Sequence, residues 1–384
     1  MSPPQARSGL DQTSKLSVGV TVEQLRRRVP GGIGTYINGL LAGVAKVHES
    51  EVAVSAVGER LPARVLTRLW SAGLPPWAPL DLDVLHAATL AFPRPLSRAT
   101  KLVVAVHDLA WRELPGSFTA RGARWHERAL HRVLASASAY VVPSGASAAA
   151  LVAAGADPAT VTVIEYGADH LPAADTSCAH SLLEAHQVHG PFLLAVGTRE
   201  PRKNLDRLIT AHRKVSARWS RPVPLVVVGP EGWGHDSLEQ DIITSKDKSI
   251  TRSDFNYTVQ ASSRGDPARS QVVVTGRVDP AVLAGLYKLA LALVYVPLAE
   301  GYGLPVLEAL LQGTPVVCSP VPTSGEGTLL VDPLDVDAIA DGLDRIVNDD
   351  ELRVELADAG EARCKSRTWE ATARAHLELW RSLS

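Results

Sequence analysis

The stretch Ala299-Glu300-Gly301-Tyr302-Gly303-Leu304-Pro305-Val306-Leu307-Glu308-Ala309-Leu310 follows directly on the apolar run Leu291–Val296. A short run rich in Val and Leu reads as a buried strand. Gly301 and Gly303 permit a tight turn after it, and Pro305 suits the first turn of the ensuing helix. Strand, turn and helix in that order aim backbone N–H groups at an anion. Glu300 lies in the loop and Glu308 about a turn inside the helix, so both carboxylates can face one ligand over the helix start. Carboxylates accept from paired hydroxyls, which suits a sugar at one end and the ribose of a nucleotide at the other. The same pair would serve a hydrolase as acid and base, but the phosphate-type turn between them favours a nucleotide. Two merely solvated glutamates would not need Gly301, Gly303 and Pro305 placed between them.

Outward from this unit, apolar runs alternate with longer helix-period segments, the pattern of buried parallel strands joined by crossover helices. The strand candidates of the first half are Leu16–Thr21, Val52–Val57, Lys101–Val106, Ala139–Val142 and Val161–Ile164. Those of the second are Phe192–Val196, Pro224–Val228, Gln271–Thr275, Leu291–Val296, Pro315–Cys318 and Thr328–Val331. The class is therefore α/β, with two Rossmann-like, doubly wound units facing a cleft. Gly167–Gly190 lacks strand character and reads as the linker between them. Residues 235–270 are polar and aperiodic, a surface excursion in the second unit.

Three further segments fall at strand ends. Pro30-Gly31-Gly32-Ile33-Gly34-Thr35-Tyr36 opens a helix, and Gly32 and Gly34 let backbone approach a phosphate; neither the dinucleotide fingerprint nor a P-loop is present. A bland tight turn explains it equally well. Val106-His107-Asp108-Leu109 sits at a carboxyl-terminal rim, where His107 can contact a reacting centre with Asp108 orienting it, or simply satisfy its own loop. Val196-Gly197-Thr198-Arg199-Glu200-Pro201-Arg202-Lys203-Asn204 projects Arg199, Arg202 and Lys203 beside a helix start, as a diphosphate requires. A solvated basic turn is the alternative there.

The formal charge of -2, from 39 Lys and Arg against 41 Asp and Glu, gives no global attraction to nucleic acid or anionic membrane. Cys178, Cys318 and Cys364 are widely spaced and odd in number, which indicates neither a disulfide framework nor a zinc site. The polar opening MSPPQARSGLDQTSK and the short run LSVGVTV suit neither a signal peptide nor a membrane span, so the expected location is cytoplasmic.

In order along the chain stand Gly-Gly-Ile-Gly-Thr-Tyr, Asp83-Val84-Leu85-His86-Ala87, Val-His-Asp-Leu-Ala-Trp, Val142-Pro143-Ser144, Glu-Pro-Arg-Lys-Asn, Val228-Gly229, Gly276-Arg277-Val278-Asp279 and the two glutamates with seven residues between them. In this set the chain resembles the retaining glycosyltransferases of family 4, which have the GT-B fold. The resemblance implies that Lys203 binds the donor diphosphate, Glu308 the ribose and Glu300 the transferred sugar, with backbone N–H groups of Tyr302, Gly303 and Leu304 near phosphate. It implies that Arg199 assists, that Val278 meets the base with Asp279 nearby, that Gly32 and Gly34 approach the phosphates from the other lobe, and that His107 and Glu300 flank the anomeric centre. Where many members carry an Arg after the loop glycine, this chain has Thr198, with Arg199 or Arg202 as the candidates to compensate, and the loop Ser319–Gly327 is shorter than usual.

The implied organisation is an acceptor-side domain over 1–172, a nucleotide-sugar-binding domain over 173–368, and a helix over 369–384 crossing back, with Ala373, His376, Leu377 and Trp380 as its inner stripe. The implied activity is transfer of a hexose to a glycan or lipid-linked acceptor, with mannose from GDP-mannose suggested by the wording of the motifs. No cofactor or metal is expected, because a lysine and helix dipoles carry the diphosphate charge. Arg121, Arg124, Arg128 and Arg132, interleaved with Trp125, and the stretch Leu61–Trp77 are candidates for contact with anionic lipid at the inner membrane face, or else ordinary solvated faces. Rival readings are a catalytically silent partner subunit of the same fold and a two-lobed sugar-binding protein, the latter requiring export.

Overall fold

The computed structural model describes residues 15–47, 50–58, 61–95, 97–232, 257–259 and 271–384. Two sheets are present. The first contains β1 (Leu16–Thr21), β2 (Val52–Val57), β3 (Val84–Ala87), β4 (Lys101–Ala105), β5 (Ala139–Val142) and β6 (Val161–Val163), all parallel, in the order β2-β1-β3-β4-β5-β6. The second contains β7 (Leu193–Val196), β8 (Leu225–Val228), β9 (Tyr257–Val259), β10 (Val272–Gly276), β11 (Ala292–Tyr295), β12 (Val316–Cys318) and β13 (Thr328–Leu330), in the order β13-β12-β11-β7-β8-β10-β9. Helices α1 (Gly31–Val47), α2 (Ala63–Ser71), α3 (Ala110–Glu113), α4 (Ala120–Ser136) and α5 (Gly145–Ala153) belong to the first unit. The remainder are α6 (Thr176–Ala185), α7 (Leu205–Ser216), α8 (Pro280–Leu289), α9 (Leu304–Leu311), α10 (Val336–Asn348), α11 (Asp350–Cys364) and α12 (Trp369–Leu383).

Each sheet reverses direction of growth once, between β1 and β3 and between β7 and β11. Open α/β sheets bind ligands outside the carboxyl ends of strands at such a reversal. In the second sheet those ends carry the loops beginning at Gly197 and Val296, so topology alone places the basic loop beside the glycine turn.

Three sequence expectations need correction. β3 was missing from the strand expectations because His86 interrupts its apolar run; all four of its residues are nevertheless buried. The segment Gly167–Gly190 is not irregular throughout, for it contains α6, which Asp175 caps by accepting from the Cys178 N–H at 2.9 Å. That helix seats Ala179 and Leu183 in the core and lies on α8, where Gly285 leaves room for the Asp175 carbonyl. The excursion over 235–270 falls outside the described residues except for β9, which pairs antiparallel with β10 where no strand was expected.

α12 runs back across the first domain. Its buried face is Trp369, Thr372, Ala373, His376, Leu377 and Trp380, which includes the whole expected stripe. α1 receives it through two glycines: a Cβ at Gly39 would lie 2.2 Å from the Trp369 ring, and one at Gly43 would lie 2.2 Å from the Trp369 carbonyl. Beneath this contact Tyr36 Oη sits 2.8 Å from His86 Nε2 and 2.9 Å from His376 Nε2, a polar cluster satisfied inside the core.

Candidate active site

The basic loop leaves β7 at Gly197 and turns through a single 3₁₀ turn, Pro201–Lys203, into α7. Asn204 ends that turn at φ 61°, a left-handed conformation that Asn tolerates. Its side chain donates to the carbonyls of Val296 at 3.0 Å and Pro333 at 2.7 Å, which ties the basic loop to the loop after β11.

That tie brings opposite charges together. Glu300 Oε2 accepts from Lys203 Nζ at 2.5 Å, Arg202 Nη1 at 3.1 Å and the Tyr295 hydroxyl at 2.6 Å. Lys203 also donates to Tyr295 Oη at 2.8 Å, so the phenol accepts from the lysine and donates to the glutamate. Arg202 Nε meets Glu200 Oε1 at 2.5 Å. Burial by itself would raise the Glu300 carboxyl, but the two cations outweigh it and hold it at about 2. Glu300 is thus a fixed anion under any ordinary condition.

Glu308, one turn into α9, is 7% exposed. Its Oε1 lies 3.1 Å from His170 Nε2 and its Oε2 accepts from the Tyr287 hydroxyl at 2.8 Å. Between the two glutamates, Gly303 adopts φ +104°, closed to L side chains, and its carbonyl accepts from Thr323 Oγ1 at 2.9 Å. Arg363 in turn donates to the Thr323 carbonyl at 2.7 Å, so the short loop after Ser319 packs directly under the turn. Leu304 starts the helix and is buried with Tyr302.

The first domain meets this turn. A Cβ at Gly301 would stand 2.0 Å from the His107 carbonyl, so only glycine lets the two loops touch. Ser144 Oγ donates to the Gly301 carbonyl at 2.9 Å from the amino end of α5. His107 Nδ1 lies 2.5 Å from Tyr166 Oη and Nε2 lies 2.8 Å from the Ala88 carbonyl. Burial lowers its imidazole below the usual range, against the Ala88 carbonyl and Asp108, so the ring is neutral near pH 7. Asp108 does not orient it: its Oδ1 accepts from the Ala110 N–H at 3.1 Å.

The structure therefore brings Lys203, Glu300, Tyr302, Gly303, Leu304 and His107 to one rim. Glu308 lies in the helix that this rim opens and has its own partners, His170 and Tyr287, while the Tyr295 phenol is held up by burial first and then by the charge of Glu300. Arg199 is not in the charge cluster. It is 7% exposed and its backbone pairs with the segment at Pro230 and Glu231, while Arg202 supplies the cation that Thr198 does not. Asp279 is exposed and caps α8 through the Ala281 N–H at 2.9 Å, next to the half-buried Val278. Gly32 is exposed with open space around it, whereas Gly34 is packed against Pro30. Tyr295, Tyr166, His170 and Tyr287 were not singled out by sequence; Tyr166, His170 and Tyr287 meet partners in other elements, and Tyr295 joins its neighbour Glu300 to the distant Lys203, which no local spacing encodes.

On the first-domain surface, Arg132 donates to the carbonyls of Trp70 and Ser71 and Trp125 Nε1 donates to Ser71 Oγ, so both hold α2 instead of facing solvent. Arg121, Arg124 and Arg128 remain exposed, as do Arg64, Arg68 and Trp77, while Trp70 is buried. Among the described residues no helix is long and apolar enough to cross a membrane and no group of three or more His, Cys, Asp or Glu side chains is placed to hold a metal.

Residues 184–363 match the family model of the group 1 glycosyl transferases. The chain is 29% identical over 303 residues to the O-antigen chain mannosyltransferase B of Escherichia coli, covering 77% of this chain and 73% of that protein. To the serotype-specific mannosyltransferase WbdA of Escherichia coli it is 28% identical over 224 residues, 56% of this chain but only 24% of the relative. Its fold matches that of Anabaena HepE, solved with UDP and glucose, at a TM-score of 0.66 over 96% of this chain and all of that one, with 17% identity. Two facing doubly wound domains with this rim define a glycosyltransferase of GT-B fold. Within the second domain the likeness to the group 1 glycosyl transferases runs over residues 184–363.

Proposed function

We propose that the protein transfers a hexose, mannose in the first instance, from a nucleoside diphosphate donor to a glycan acceptor with retention of configuration. The observation that carries this reading is the cluster of Lys203, Arg202, Tyr295 and Glu300 at the rim of β7 and β11, with Glu308 one helical turn beyond. Two cations beside a glycine turn and a helix start suit a diphosphate, and a buried carboxylate at either end suits hydroxyls on both sides of it. The names of the two Escherichia coli relatives favour mannose.

In this reading Lys203 and Arg202 move from Glu300 to the diphosphate, with the backbone N–H groups of Tyr302 to Leu304 completing the anion site. Glu300, relieved of its cations, accepts from hydroxyls of the sugar. Glu308 holds the ribose, Val278 borders the base, and Gly32 offers backbone from the other lobe. The bond from the anomeric carbon to the phosphate oxygen breaks while the acceptor oxygen bonds to the same face of that carbon. The acceptor proton passes to the departing phosphate, whose charge the two cations stabilise. His107, neutral and half-buried, lies at the junction where the anomeric centre falls. With two cations on the diphosphate no metal is needed, so activity should persist in a chelator. The exposed arginines of α2 and α4 suit an acceptor at an anionic membrane face, with the body of the protein on the cytoplasmic side.

Calorimetric titration with GDP, UDP and their hexose conjugates is the test. Millimolar concentrations of every nucleotide giving no heat would end the transferase reading, and an inverted anomer by NMR would end retention alone.

A further inference from the structure

We propose that the segment joining the two domains, residues 165–170, is a positioning element of the active site, holding His107 through Tyr166 and Glu308 through His170. The inference rests on the nucleotide-sugar reading above and adds residues to it.

The tautomers follow from the partners. A backbone carbonyl only accepts, so His107 Nε2, 2.8 Å from the Ala88 carbonyl, carries the proton, and Nδ1 accepts from the Tyr166 hydroxyl at 2.5 Å. An indole N–H only donates, so His170 Nδ1, 3.3 Å from Trp369 Nε1, accepts, and Nε2 donates to Glu308 Oε1 at 3.1 Å. With Tyr287 on Oε2, both carboxylate oxygens are oriented and each keeps a lone pair, the number that a vicinal diol requires.

One residue anchors both side chains. The Trp369 ring stacks on Tyr166 at 5.9 Å and 18°, donates to His170, and is wedged against α1 at Gly39. The backbone N–H of Trp369 donates to Asp169 Oδ1 at 2.7 Å, and the Ala168 N–H donates to the Arg367 carbonyl at 3.0 Å. The glycine turn joins the same point, for Tyr302 Oη donates to the Tyr166 carbonyl at 3.1 Å. Tyr166 meets His107 of the first domain and His170 meets Glu308 of the second, so a rotation of either domain about this segment would disturb one of the two contacts and the register between them. The angle between the domains and the alignment of the two half-sites are then one variable.

The experiment uses the full chain and two readouts. Binding of GDP and UDP is compared with that of their 2′-deoxy counterparts by calorimetry, and turnover is measured with GDP-mannose. The wild type should prefer the ribonucleotide about tenfold. His170→Ala should bring that preference to within about twofold, and His170→Gln, which keeps a donor, should restore it. Tyr166→Phe should leave the preference intact and lower kcat at least about tenfold with KM held, as loss of transition-state alignment does. Wild-type preference persisting in His170→Ala, or unchanged kcat in Tyr166→Phe, overturns the inference alone. A wild type that binds no nucleotide overturns the nucleotide-sugar reading and this inference with it.

Discussion

Lys203 and Glu300 face each other at 2.5 Å with 13% and 14% of their side chains exposed, so the cation expected on a diphosphate already has an anionic partner inside the site. On the proposed function, a donor diphosphate would compete with Glu300 for it. Glu300→Gln should therefore bind a nucleoside diphosphate as tightly as the wild type or up to about tenfold more tightly, while kcat falls about a hundredfold or more. Lys203→Ala should lose about 1.5–3 kcal/mol of nucleotide affinity, the worth of a charge-assisted hydrogen bond. Calorimetry and steady-state rates check both, and a Glu300→Gln protein that loses nucleotide binding would contradict the competition.

The same pair sets an acid limit. Glu300 is held at about 2 against 4.5 for a free glutamate, so the folded state binds this proton less readily than the unfolded chain. Its contribution is complete above about pH 4.5 and is lost as pH falls toward 2, on the order of 3 kcal/mol in all. Urea unfolding from pH 5 to pH 2.5 should show a shallower loss in Glu300→Gln than in the wild type.

A separate loss should begin at milder acidity. Burial lowers His212 and His376 to about 4 from 6.5, although the carbonyls of Val223 and Thr372 raise them. Both are neutral in the fold, and stability present above pH 6.5 declines as pH approaches 4, by on the order of 3 kcal/mol for each. Replacing His212 by Asn should flatten the curve between pH 6.5 and 4 while leaving the lower limb unchanged.

Gly301→Ala tests the contact between domains. Its Cβ would fall 2.0 Å from the His107 carbonyl, which must then retreat with its loop. Because the clash falls on two loops and not within the apolar core that the two domains share, the melting temperature should change little while kcat drops at least about tenfold. Equal activity at equal stability would show that the loops part without cost.

Gly39→Ala places a methyl group 2.2 Å from the Trp369 ring inside a packed groove. Overpacking there should cost about 1–3 kcal/mol in denaturant unfolding, and Trp369→Ala, which empties the groove, about 3–5 kcal/mol.

How much of this was legible depends on what each feature needs from the chain. β1, β2 and β5 keep their expected bounds because each is a short Val-rich run with a polar residue just before it, and this holds even for β2, where three of six residues are exposed. β3 did not, since His86 is polar by type yet buried by virtue of Tyr36 and Trp380, partners 50 and 294 residues away. α6 was overlooked because a lack of strand character was read as a lack of structure, although Asp175 two residues before Ser177 is an ordinary cap signal. Of the site, Glu300, Lys203 and Glu308 stood out because the first two sit in loops whose glycines and charges are contiguous and the third lies in the helix that the glycine turn opens. Thr198 and Arg202 show the limit of reading position by position: the loop lacks one cation where it is usual and supplies another four residues on, which only the turn Pro201–Lys203 explains.

The packing of Trp369 and Trp380 against α1 and β3 has a consequence for the order of assembly. α1 is made some 330 residues before the side chains that fill its groove, and sequential synthesis tends to fold early domains first. Here the early domain emerges with Gly39, Gly43 and the Tyr36 hydroxyl uncovered and must wait, partly finished, while the second domain is synthesised and folds. Only when α12 arrives does the first core close, so a nascent chain halted before Trp369 carries a ready-made apolar trough for a chaperone.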